Sequence, residues 1–152
     1  MCSAATAVVC AVLSLHVITD GETSPPAMTV VGAHVERYFQ NAGIAVDWDG
    51  GDDRRFTIVF TTSTRMREIG RGQREVLGLA VKESRRAYVL LDRIKARALE
   101  MFQSSASPRF ARPDIVNRAA SEAIVVAPVM AHEVGHLLLP PDSHSPSGGM
   151  SK

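Results

Sequence analysis

Apolar and polar residues follow two rhythms along this chain, and each marks an element. Met1 to Val17 is small and apolar almost throughout, and Leu15-His16-Val17-Ile18-Thr19 within it reads as a strand. From Ala27, the apolar residues Val31, Val35, Tyr38, Phe39 and Ala42 recur at helical spacing. Ser24 is the expected N-cap of that helix, with Pro25 and Pro26 in its first turn, and Asn41-Ala42-Gly43 is its expected end. Ile44 to Trp48 reads as a short strand, and Arg55 to Thr61, β-branched and aromatic, as a stronger one. Thr62 to Gln73 is polar and basic and holds Gly70 and Gly72, which predicts a mobile loop. Val76 to Val81 and Arg86 to Leu91 follow as two further strands, then a helix over Ile94 to Phe102 that Ser104 to Pro108 breaks. A last periodic stretch starts at Pro113 or Asp114. Pro128 within it removes a helical hydrogen bond, which predicts a kink or a fresh start and a separate helix over Pro128 to Leu139.

The order is therefore β, α, β, β, β, β, α and a final helix. Consecutive strands in the middle favour an α+β fold over a doubly wound parallel sheet. With 152 residues the length suits one domain. Residues 1–14 read as an apolar leader or signal segment and 15–152 as the domain. No Lys or Arg precedes the apolar run, so a cytoplasmic and a secreted location both stay open. The run is too short and weak for a membrane span, and no firm membrane association is expected. Apolar residues at 45% and charged residues at 22% are ordinary for a globular domain. A formal net charge of +1 gives no reason to expect nucleic acid as a partner. Cys2 and Cys10, the two cysteines, provide no disulfide framework. Arg65, Arg67, Arg71 and Arg74 cluster in the basic stretch, where a solvated surface is the plainer reading and a substrate-facing rim the sharper one.

The chemistry is concentrated near the end. His132-Glu133-Val134-Gly135-His136 is an H-E-x-x-H sequence. On a helix, residues four apart share a face, so His132 and His136 can present two imidazoles to one metal ion. Glu133 points about 100° round the helix from His132, toward a metal-bound water and not toward the metal. Zinc with three protein ligands and an open position lowers the pKa of its water to about 7, and a carboxylate beside that water is a general base for hydrolysis. His144 is the nearest third ligand of the right type, with Asp142 in reserve. The surrounding Val134, Leu137, Leu138 and Leu139 predict a packed helix, in which histidines and a carboxylate need partners.

The stretch from Ala131 to Met150 resembles the zincin metallopeptidases, and among them the metzincin pattern H-E-x-x-H-x-x-G-x-x-H followed by a methionine. It is closer still to a group of small bacterial proteins ending H-E-I-G-H-L-L-L-G-x-x-S-H-S-x-x-G-I-M. That ending stands here as His132-Glu133-Val134-Gly135-His136-Leu137-Leu138-Leu139-Pro140, then Ser143-His144-Ser145 and Gly148-Gly149-Met150. The resemblance implies a zincin-like mixed sheet packed on helices and one zinc ion per chain held by His132, His136 and His144. It also implies Glu133 as catalytic base, Met150 packed beneath the metal, and a peptide or protein substrate. It further implies a cleft-bordering strand that binds extended substrate by backbone pairing, for which Val76 to Val81 is the candidate. Tyr88 is a candidate for helping to stabilise the oxyanion. Three positions depart from the pattern: Asp142 stands where ordinary metzincins have the third histidine, Pro140 replaces the turning glycine, and Gly149 replaces isoleucine.

Two other readings compete with a zinc metallopeptidase. One is a zinc-binding module of the same fold without catalysis. The other is a repressor-cleaving peptidase of the phage-regulator type, which shares H-E-x-x-H but takes its third ligand from elsewhere.

Overall fold

Strand β1 (Ala11–Thr19) lies between two parallel partners, β2 (Ile44–Trp48) and β3 (Phe56–Thr61), so its Leu13 and Leu15 sit deep in the core. The computed structural model describes residues 11–20, 25–48, 50–51, 55–71, 76–105 and 115–140. Two further strands complete the sheet: β5 (Arg86–Leu90) runs parallel to β3, and β4 (Gly78–Val81) pairs antiparallel with β5. Among the described residues the order is β2-β1-β3-β5-β4, a mixed five-stranded sheet with β2 and β4 at its edges. With helices packed against it, this is the mixed α and β architecture expected.

Side chains alternate across a strand, so register decides which face each residue serves. Leu15 is level with Phe56, Ile58 with Ala87, and Phe60 with Val89. These residues share the face carrying the main hydrophobic cluster, to which Gly78 and Ala80 of β4 also turn because they are level with Val89 and Ala87. Helix α1 (Met28–Gln40) supplies Val31, Val35 and Phe39 to that cluster. Burying each such side chain contributes roughly 1.5–3 kcal/mol. Helices α3 (Leu91–Ser105) and α4 (Ile115–Leu138) add Ile94 and Ala98, and Val126, Met130 and Val134. On the opposite face Val12 and Ile18 are exposed.

Several expectations change. β1 begins at Ala11, inside the expected leader, because Ala11 to Ser14 pair with Ile44 to Asp47. Helix α1 starts at Met28 with Ala27 as N-cap and no side-chain cap. Pro25 and Pro26 precede it, and Ser24 lies outside the described residues. Its end is as expected, with Gly43 at φ 74°. The predicted loop from Thr62 to Gln73 instead holds a helix, α2 (Ser63–Glu68). Thr62 caps it by accepting from the Arg65 N–H at 3.2 Å, and Asp92 receives the Ser63 N–H at 2.9 Å together with the Ser63 hydroxyl. Met66 is buried on its inner side, which anchors the turn. Arg65, Arg67 and Arg71 are exposed, and Arg65 pairs with Glu68 at 3.0 Å; Arg74 lies outside the described residues.

Helix α3 follows β5 directly and runs on to Ser105, past the break expected at Ser104. Helix α4 passes through Pro128 without interruption over 24 residues, so no separate helix begins there. The reason is placement. Pro128 denies a donor to the carbonyl of Ile124, a residue 55% exposed, where water can replace it. The expected start at Pro113 or Asp114 lies outside the described residues. Among the described residues, no helix is long and apolar enough to cross a membrane.

Candidate metal centre

Helix α4 buries one stripe, formed by Ala123, Val126, Ala127, Met130 and Val134. At about 100° per residue, Glu133 falls at the border of that stripe, and His132 and His136 fall beyond it on the same side. Both histidines are partly buried. Their ring centroids are 4.6 Å apart at an interplanar angle of 87°, and the two Nε2 atoms face each other at 3.0 Å. A zinc ion sits about 2.0–2.1 Å from each imidazole nitrogen it binds, so two nitrogens at this separation fit around one ion. The same separation also fits an N–H···N hydrogen bond, whose direction depends on the tautomers.

Among the described residues, no group of three metal-ligating side chains comes together. His144, the expected third ligand, lies outside the described residues, as do Asp142, Gly149 and Met150. His132 and His136 are thus the two expected ligands whose positions are described.

Glu133 is 8% exposed, one of the few buried polar side chains. Burial pushes its carboxyl up to about 7, partly offset by the nearby Ala80 N–H. The strand supplying that N–H comes unusually close. A Cβ built on Gly78 would lie 2.6 Å from Glu133 Cγ and 2.9 Å from both Cδ and Oε1, closer than real side chains approach. With any other residue at position 78, either the Glu133 side chain or β4 must shift. The sequence carried a signal for this contact, since a glycine inside an otherwise aliphatic strand often marks the close approach of another group. Which group approaches it becomes visible only with the sheet assembled.

Lys82, in the 3-10 turn after β4 (Lys82–Ser84), also bears on this helix: its Nζ donates to the Leu139 carbonyl. Leu139 in turn donates to the Gly135 carbonyl at 2.9 Å. Lys82 therefore serves a terminal carbonyl of the helix where Pro140 rules out a glycine cap, and a cation there also suits the helix dipole. Tyr88 is not brought to the site. It alternates with Ala87 and Val89, which face the core, and so lies on the sheet face opposite to Gly78, Ala80 and Glu133. Trp48 borders the core, and its indole N–H donates to Glu36 at 2.7 Å. An apolar cleft of about 620 Å³ lies beside it, lined by Val17, Met28, Gly32 and Trp48 among others, with none of its lining residues on α4.

Compared with known proteins, the chain matches no family model, no curated protein and no solved structure.

Proposed function

We propose that the protein is a zinc-dependent metallopeptidase, with zinc held by His132, His136 and His144. The observation that carries the reading is the convergence of the His132 and His136 Nε2 atoms at 3.0 Å, beside a carboxylate that helix and sheet together keep buried. When bound, zinc supplies a Lewis acid that acidifies water and polarises a carbonyl. Glu133 accepts the proton of the water that attacks the peptide carbonyl carbon, then delivers it to the leaving amine as the C–N bond breaks. β4 is an edge strand beside this carboxylate, which suits it to pair with an extended peptide.

A second reading, a zinc-binding module without catalysis, draws on the close packing of Glu133 against β4. Peptide hydrolysis by zinc-loaded protein, beside Glu133→Ala, separates the two. The peptidase reading expects cleavage in the wild type and its loss in a variant that keeps its zinc. Stoichiometric zinc with no cleavage of any peptide in a broad mixture would leave the module.

A further inference from the structure

The hydrogen bonds of an antiparallel pair alternate, so one bond fixes the rest. The Leu90 N–H donates to the Leu77 carbonyl at 2.8 Å, which makes Leu77 and Leu90 a hydrogen-bonded pair. By register, Leu79 with Tyr88 and Val81 with Arg86 are bonded pairs as well. The N–H groups of Gly78 and Ala80 therefore point away from β5, off the edge of the sheet. An outward N–H on an edge strand has no partner within the sheet. Here the Ala80 N–H lies near enough to Glu133 to favour its charged form, and Gly78, two residues earlier on the same face, is where an added Cβ would collide with that side chain. Both place the edge of β4 against one carboxylate.

We infer that the edge of β4 is the positioning element for Glu133: the outward N–H of Ala80 holds the carboxylate, and the bare Cα of Gly78 makes the room for it. Gly78 and Ala80 are positioning residues that act through Glu133. The catalytic part of this inference rests on the peptidase reading; the structural part does not. It also limits the edge available to a ligand, because one of its outward donors is already engaged.

The test uses the full chain in two states. In metal-free protein, amide hydrogen exchange at Ala80 is followed in wild type, Gly78→Ala and Glu133→Ala. Exchange at Ala80 should rise about tenfold or more in both variants, while Leu79, bonded inward, changes little. In zinc-loaded protein, Gly78→Ala should keep its metal and its KM but lose on the order of 10²-fold in kcat, the scale of a misplaced catalytic group. Ala80→Pro deletes the same N–H at a position facing away from β5, where an edge strand tolerates proline, and should give a comparable kcat loss if Gly78→Ala does not fold. Equal Ala80 exchange in all three proteins would overturn the inference. So would a wild-type kcat in both Gly78→Ala and Ala80→Pro when the wild type is active. A wild type that binds zinc and cleaves nothing would sink the peptidase reading instead, and the exchange comparison would still decide whether β4 holds Glu133.

Discussion

At one edge of the sheet β2 ends in Trp48, whose indole donates to an exposed Glu36, with Gly32 of α1 packed against the ring. At the other edge β4 lies against Glu133, a buried carboxylate, with Gly78 beneath it. Both edges join a glycine and a carboxylate, yet their tolerances differ. A Cβ on Gly32 would meet Trp48 at 3.6 Å, an ordinary contact, whereas on Gly78 it would meet Glu133 at 2.6 Å. The Glu36 carboxylate stays in water and costs little. Burying a carboxylate is expensive, and stability alone gives no reason to keep one there. An arrangement that is costly for folding and tightly fitted around one ionisable group is what a functional site looks like physically.

The largest expected effect is on the pH dependence of stability in metal-free protein. The folded-state pKa of Glu133 is raised from 4.5 to about 7, so the folded state holds its proton more tightly than the unfolded state. Its contribution to stability is therefore fully present below about pH 4.5 and is lost as pH rises through about 7. The shift corresponds to a loss on the order of 3 kcal/mol. Urea unfolding across that range should show the decline in wild type and a flatter profile in Glu133→Gln. Equal slopes would mean that Glu133 is not held in the buried position.

The two glycines come next. At about pH 5, where Glu133 carries its proton, Gly78→Ala should destabilise by about 1–3 kcal/mol through overpacking. Gly32→Ala, in the interior of α1 with room for its methyl, should instead stabilise by about 0.5–1 kcal/mol. Thermal unfolding of the two variants beside wild type checks the opposite signs, and matching signs would erase the contrast between the edges. The smallest effect is expected at the Trp48–Glu36 contact, where Glu36→Gln should shift stability by roughly 0.5 kcal/mol or less, as exposed polar contacts do.

Local pattern made much of this fold legible. Val31, Val35 and Phe39 were periodic in sequence and are all buried, and Gly43 ended its helix as a glycine should. The strands were found because β-branched and aromatic residues cluster in them. Missed features depended on contacts distant in sequence. Helix α2 is held by Asp92, 29 residues away from Ser63, so its polar sequence read as loop. Continuity of α4 through Pro128 depends on which side of the helix faces water. His132, Glu133 and His136 were legible from spacing alone. Gly78 gave only the hint of a glycine within a strand, and Ala80 and Lys82 gave none, because their link to α4 exists only once β4 takes the sheet edge.

The central claim is that His132, His136 and His144 hold one zinc ion, and metal content tests it most directly. Elemental analysis of purified wild type, offered zinc and then dialysed, should find about one zinc per chain. His144→Ala should lose most of it, and Glu133→Gln should keep it. No zinc in the wild type would contradict the account outright, and full retention in His144→Ala would contradict the ligand set and send the search for the third ligand elsewhere in the chain.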